Sequence, residues 1–271
     1  MPILNKDMTL CISLSGRPSN IGTRFHNYLY DELGLNFIYK AFSTDDIAGA
    51  ISGVRALGIR GCSVSMPFKE AVIPLVDEMS PSATAIASVN TIVNDAGRLT
   101  AANTDYEAVA ALIAENALDP SMPVTVRGSG GMAKAVVAAF RDAGFADLTV
   151  QARNPDTGRA LADAYGYTAT TEAPQPGPGV VVNVTPLGMH GPDEAVQSFS
   201  DEVIAAADVV FDVVAFPAET PLIAAARRTG TPVITGAQVI ALQAARQFEL
   251  YTGVTLTPDQ VARASEFSRA D

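Results

Sequence analysis

The stretch from Val124 to Arg153 constrains this chain more than any other. An apolar run at Val124–Val126 enters Gly128-Ser129-Gly130-Gly131-Met132-Ala133, a helical pattern follows to Ala143, and a second apolar run extends from Leu148 to Ala152. Strand, glycine turn, helix and strand within about 30 residues is the size of a dinucleotide-binding βαβ unit. Gly128 permits the tight turn, Gly130 lets backbone approach a pyrophosphate, and the small Ala133 lets helix lie close on strand. The first amides of the helix then have no partners within it and face an anion.

The rest of the composition fits an ordinary globular α/β protein. At 271 residues the chain is near the size at which one core divides into two. Hydrophobic residues make up 48% and charged residues 17%, which excludes a disordered chain. Eighteen basic against 29 acidic side chains give a net charge of −11, with no lysine or arginine run, so nucleic acid and anionic membrane are excluded as partners. No apolar span reaches ~18 residues and no cleavable signal is evident, so a cytoplasmic protein is expected. Cys11 and Cys62 lie in apolar runs without metal-ligand spacing and read as buried thiols. His26 and His190 are too few for a metal site, so no metal is expected.

Strand and helix patterns alternate on both sides of the glycine turn, which argues for parallel sheet. Before it come strands at Thr9–Leu14, Phe37–Phe42 and Ile59–Val64, and helices at Thr23–Leu33 and Asp46–Leu57, the latter capped by Ser43 or Thr44. A helical stretch is expected from Pro67 and Lys69 to Met79, and another at Ser82–Ala87. A hairpin turns around Asn94-Asp-Ala-Gly97, between Val89–Val93 and Leu99–Ala102. Thr104 or Asp105 then caps a helix from Tyr106 to Asn116. After it come a helix at Arg159–Tyr165, strands at Val180–Val184, Asp208–Val214 and Pro232–Ile234, a helix near Pro221–Arg228, and a long amphipathic helix at Gln238–Tyr251.

Two groups of residues carry chemistry. In dinucleotide-binding folds a carboxylate at the end of the second strand holds the ribose 2′-hydroxyl of NAD. Here that end reads Gln151-Ala-Arg153-Asn154-Pro-Asp-Thr-Gly-Arg159. Two guanidiniums and no carboxylate at the strand tip suit a 2′-phosphate, and favour NADP over NAD. The second group is Ser63-Val-Ser65-Met-Pro-Phe-Lys69, which sets a lysine just beyond a strand's carboxyl end, where open α/β sheets bind ligands. A lone lysine is usually solvated, and Asp105 is by default a helix cap. Together they could handle the proton that leaves a hydroxyl as hydride leaves its carbon.

Six motifs in order, Ser63-Val-Ser-Met-Pro-Phe-Lys69, Ser88-Val-Asn-Thr91, Asn103-Thr-Asp105, Gly128-Ser-Gly-Gly131, Asn183-Val-Thr-Pro-Leu-Gly-Met189 and Gln243-Ala-Ala245, resemble the shikimate dehydrogenase family over nearly the whole chain. The opening Ser13-Leu-Ser-Gly-Arg-Pro-Ser-Asn20 is similar to the shikimate dehydrogenase-like branch. The resemblance implies an NADP-binding Rossmann domain at 106–236 and an α/β substrate domain at 1–105 completed by 237–271, with the C-terminal helix returning to it. It implies NADP-linked interconversion of shikimate and 3-dehydroshikimate, with Lys69 and Asp105 as the catalytic pair and Ser65, Asn90 and Gln243 holding substrate. On the cofactor side it implies the Gly128–Ala133 loop, a phosphate-clamping turn from Arg153 through Asn154 to Arg159, and nicotinamide-side contacts at Thr185, Val213 and Gly236.

Three departures bear on the substrate. Aligning His26-Asn27 with the family puts Asn20 and Gly22 where a serine pair binds the shikimate carboxylate, leaving Asn20 and Ser19 as neighbouring candidates and Ser13, Ser15 or Thr23 as replacements. Ala215 stands where the family usually has a tyrosine. Arg127 replaces an apolar residue before the glycine loop, as a cation beside the phosphates or in a surface salt bridge. The rival readings are a quinate or amino-shikimate dehydrogenase on the same scaffold, and a non-catalytic regulator that binds NADP or a metabolite. Met66, Met132 and Met189 are expected to serve packing, and Phe248 and Tyr251 to be core or interface aromatics.

Overall fold

The computed structural model describes residues 4–269. The chain forms two compact units, one made of the residues up to Thr104 together with those from Ala241 onward, the other of Asp105–Ile240.

The first unit is built on β1 (Thr9–Ser15), α1 (Ile21–Glu32), β2 (Phe37–Ser43), α2 (Ile47–Ala56), β3 (Gly61–Val64), β4 (Glu78–Met79), α3 (Pro81–Ile86), β5 (Thr91–Asp95) and β6 (Arg98–Ala102). Its sheet runs β2-β1-β3-β5-β6-β4. β1 is parallel to both neighbours, and β5 is antiparallel to β3 and β6. Side chains alternate across the strands. Ile12 and Leu14 of β1 join Ile51, Val54, Val64 and Ile92 on one face, while Cys11 joins Phe25, Leu29, Tyr30, Tyr39, Phe248 and Tyr251 on the other. The β5–β6 hairpin closes through Ala96 and Gly97, both at positive φ (51° and 93°), the backbone that a two-residue turn between twisted strands requires.

The second unit contains most of α4 (Thr104–Glu115), then β7 (Val124–Arg127), α5 (Gly131–Asp142), β8 (Leu148–Gln151), α6 (Pro155–Tyr165), β9 (Thr168–Thr170), β10 (Val180–Asn183), α7 (Asp201–Ala206), β11 (Val209–Asp212), α8 (Pro221–Thr229) and β12 (Val233–Thr235). All of its strand pairs are parallel, in the order β12-β11-β10-β7-β8-β9. This is the Rossmann order, and its direction reverses between β7 and β10, where such sheets bind ligands. The long helix α9 (Gly236–Thr252) starts in this unit and continues into the first, where α10 (Pro258–Arg269) follows. Among the described residues no helix is long and apolar enough to cross a membrane.

Several local expectations need correction. The stretch 67–79 is not a helix. It holds a single 3-10 turn at Ile73–Leu75 and the short strand β4, because Pro74 lacks an N–H and the backbone instead hydrogen-bonds to β6 (Asp77 N to Leu99 O, 2.9 Å; Ser80 N to Ala101 O, 2.8 Å). The cap of α2 is Asp46, not Ser43 or Thr44, and its Oδ1 accepts from Gly49 N at 2.8 Å. Thr104 and Asp105 lie inside α4 rather than before it. Asn90, just before β5, accepts from Thr104 N at 2.8 Å in their place. The polar α10 was not anticipated, although Thr257 and Gln260 form a reciprocal capping box at its start (2.9 and 3.3 Å). It lies against α1 through Arg263 and Glu32 (2.6 Å) and the Tyr28 and Phe267 rings.

His26 is fully buried in an aromatic box, stacked on Tyr39 at 4.4 Å with Tyr30, Phe248 and Tyr251 about the ring. Burial pushes its pKa from 6.5 down to about 3, against a smaller opposing pull from Gln247. Cys11 and Cys62 are buried thiols, with burial raising Cys11 to about 11 and Cys62 further. For His26 the folded pKa lies below the unfolded one. Its contribution is therefore complete above pH 6.5 and is lost as pH falls towards 3, because the unfolded chain takes up the proton first. Urea unfolding at pH 7 and pH 4.5 should show the native protein losing about 2–3 kcal/mol more than His26→Phe. Parallel losses in the two proteins would contradict the assignment.

Candidate active site

In the second unit the glycine turn is set by sterics. Gly128 has φ of +124°, and a Cβ there would stand 2.8 Å from Val184 Cγ2 and 3.1 Å from Thr185 Cγ2, so β7 leaves the sheet tight against the β10 loop. Gly130 is the N-cap of α5 and supplies no side-chain cap. Outside the loop's own neighbours, no atom lies within 4 Å of a Cβ built on Gly130 or Gly131. The turn is therefore uncrowded where α5 begins, and a helix's first amides have no partners within it, which suits a pyrophosphate. Ala133 is fully buried beneath them, and Ser129 Oγ lies 2.7 Å from Thr157 Oγ1 at the start of α6.

Arg153 and Arg159 are exposed beside this turn, and Arg159 lines a cavity of about 260 Å³ with Pro155, Gly158, Ala169, Thr170, Thr171 and Glu172. Asn154 Oδ1 accepts from Asp156 N and Thr157 N (2.9 and 3.4 Å), so that oxygen caps α6 and only its amide remains for a phosphate. Gly158, passed over in the sequence, lets α6 lie on β8, since a Cβ there would stand 2.8 Å from Ala152 Cβ.

Across the sheet, Thr185 Oγ1 donates to Asn183 Oδ1 (2.6 Å) and accepts from Leu187 N (3.2 Å). Asn183 Nδ2 donates to the buried Asp212 (3.0 Å), which also takes Val214 N (3.1 Å) and Thr220 Oγ1 (2.6 Å). Burial raises the Asp212 pKa and these three donors oppose the shift. The network fixes the backbone of Val213, whose N–H reaches Asn183 O at 3.0 Å. Gly236 begins α9 so close to Val213 and Val214 that no Cβ fits. Arg127 serves neither expected purpose: it donates to the Ser198 carbonyl and stands 5.9 Å from the Phe199 ring centre, with burial lowering its pKa. Met66 (77% exposed) and Met189 (47%) do not serve packing, whereas Met132 is half-buried.

In the first unit Asn90 is 3% exposed, and its Oδ1 accepts from Thr91 Oγ1 (2.8 Å), Thr104 N (2.8 Å) and Thr104 Oγ1 (3.2 Å). What Asn90 can offer a ligand is therefore its Nδ2 amide. Gln243 joins the same group, its Oε1 lying 3.4 Å from Thr104 Oγ1. Gln247 was missed in the sequence, although it is four residues after Gln243 and so on the same face of α9. Lys69 is half-buried in the turns after β3, where its carbonyl accepts Val89 N at 2.8 Å. Ser65 is exposed and held by Leu14 O (2.9 Å). Asp105, the first residue of the second unit, is half-buried in the first turn of α4 and follows Thr104 in the chain. Asn20 stands at the N-cap of α1 with no side-chain cap bond, and Ser19 precedes it, both exposed. In β1 and α1, Ser15 Oγ and Thr23 Oγ1 are buried without a hydrogen-bond partner. Among the described residues no group of three or more His, Cys, Asp or Glu could hold a metal ion.

Residues 20–92 match the shikimate dehydrogenase substrate binding domain. The chain is similar to a shikimate dehydrogenase-like protein of Haemophilus influenzae, 56% identical over 98% of this chain and 99% of the relative. It is 38% identical to the NADP(+) shikimate dehydrogenase of Chlorobaculum tepidum over 88% of each chain. Its structure matches Thermus thermophilus shikimate 5-dehydrogenase in complex with NADP(H) and shikimate with a TM-score of 0.85 and 28% identity, covering 96% of this chain and 100% of that one. The chain belongs to the shikimate dehydrogenase family.

Gly158→Ala should lower stability by about 1–3 kcal/mol through overpacking against Ala152. It should also weaken binding of a dinucleotide more than it weakens any ligand of the first unit. Calorimetric titration with NADP and a thermal melt check both; unchanged melting and affinity would refute the close-packing role.

Proposed function

We propose that this protein interconverts shikimate and 3-dehydroshikimate, or a close analogue, with NADP as the redox partner. It is an NADP-dependent oxidoreductase acting on a CH–OH group, a reading supported by its similarity to NADP(+) shikimate dehydrogenases. The observation that carries the finer reading is the presence, in one chain, of the open glycine cradle at α5 and of the Asn90-capped helix that bears Asp105.

In this reading the amides from Ser129 to Met132 hold the pyrophosphate, and Gly128, Gly130, Gly131 and Ala133 supply the close approach. Arg153 and Arg159 pair with the 2′-phosphate, aided by the Asn154 amide. Thr185, Val213 and Gly236 would border the nicotinamide side, on backbone fixed through Asn183 and Asp212. NADP supplies the hydride-accepting ring. The protein's own chemistry is a proton transfer: Lys69, oriented by Asp105, takes the hydroxyl proton as the carbinol becomes a carbonyl, and returns it in reduction. Ser65, the Asn90 amide and Gln243 hold the ring oxygens so that this proton lies in line with Lys69.

Asn20, Gly22 and Ala215 favour a second reading, in which the substrate differs from shikimate near its carboxylate or is a quinate or amino-shikimate. Asn20 and Ser19, both exposed, are then the groups that meet it. Lys69→Ala should lower kcat by about a hundred- to ten-thousand-fold while NADPH affinity stays within about twofold. Steady-state kinetics beside fluorescence titration of NADPH measure the two. Equal loss of both would contradict the division of labour between proton transfer and cofactor binding.

A further inference from the structure

Gln247 is 3% exposed on α9, and its polarity does more than fill space between Ala244 and Phe248. Its Nε2 donates to Thr91 Oγ1 at 2.9 Å, with Ser63 Oγ (3.3 Å) and the Asn90 carbonyl (3.4 Å) also in reach. A hydroxyl has one proton. Thr91, receiving a proton from Gln247, must direct its own to another acceptor, and Asn90 Oδ1 stands 2.8 Å away. With the Thr91 hydroxyl and Thr104 N both donating to Asn90 Oδ1, the Thr104 hydroxyl can turn to Gln243 Oε1 at 3.4 Å. Both carboxamides are then held oxygen-inward.

We infer that Gln247 is a positioning residue whose donated proton sets the direction of the relay, so that Asn90 and Gln243 both present N–H groups to the ligand. A site so polarised takes a substrate rich in oxygen acceptors and disfavours a donor-rich ammonium group. The inference rests on the assignment of Asn90 and Gln243 as substrate-holding residues.

Gln247→Glu keeps the shape and reverses the polarity, because a carboxylate only accepts and draws the Thr91 proton to itself. Gln247→Met removes the polarity and leaves Thr91 free to donate to Asn90. The Glu variant should raise the KM for shikimate about tenfold, the size of one neutral hydrogen bond, with the KM for NADP unchanged. The Met variant should raise the same KM less, whatever its melting temperature. A merely structural role would instead make KM follow melting temperature in both, and that result overturns the inference. Ligand-free protein gives a second readout: the side-chain NH2 cross-peaks of Asn90 and Gln243 in nitrogen-15 spectra should move in Gln247→Glu and move less in Gln247→Met. Unmoved peaks in the Glu variant overturn the relay whether or not shikimate is turned over. Absence of turnover in the unaltered protein, with the peaks moving as expected, would refute the proposed substrate and leave the relay standing.

Discussion

The Asn90 carboxamide holds the first unit's candidate site together. Its Oδ1 takes the Thr91 hydroxyl on β5 and the Thr104 amide at the start of α4, with the Thr104 hydroxyl also standing 3.2 Å away. A helix's first amides need acceptors, and a buried one left without a partner costs about 1–3 kcal/mol. Here the acceptor comes from a loop fourteen residues back rather than from the helix's own flank. The same atom thus fixes where α4 begins, and so where Asp105 stands, and fixes which end of the Asn90 side chain remains for a ligand. Gln247 and Gln243 tie α9 to this point, which explains why a helix starting in the other unit returns to the substrate-type unit.

The second unit is ordered by close approach instead of polarity. At Gly128, Gly158 and Gly236 the neighbouring elements stand where a Cβ would be, whereas at Gly130 and Gly131 the space outside the loop is open. The first set compacts the sheet, its helices and its loops. The second leaves open space at the start of α5. Asp212 adds the one buried carboxylate of this framework, neutralised in effect by three donors, and anchors both loops at the carboxyl ends of β10 and β11.

Much of this was legible in the sequence because it follows from local rules. The βαβ unit, the parallel order that alternation implies, and the hairpin at Ala96-Gly97 depend on period and on residues that tolerate positive φ. The stretch 67–79 was misread because its helical spacing carries no mark of the β6 backbone that captures it. Likewise the Asn90 cap and the Arg127 contact with Ser198 join residues far apart in sequence, which no window of periodicity covers. The polar α10 was hidden by its lack of apolar stripe, though Thr257 and Gln260 signalled its start. The close approach at Gly128 follows from one residue type at a turn, whereas Gln247 acquires meaning only through what Asn90 does with its oxygen.

The substrate turns on the groups near Asn20 and Ser19, which stand exposed at the start of α1. The decisive measurement is the steady-state rate of NADP reduction with shikimate, quinate and an amino-shikimate, each compared by kcat/KM. The account predicts oxidation of shikimate or one close analogue, with NADP preferred over NAD. Tight NADP binding with no oxidation of any of these acids would contradict it.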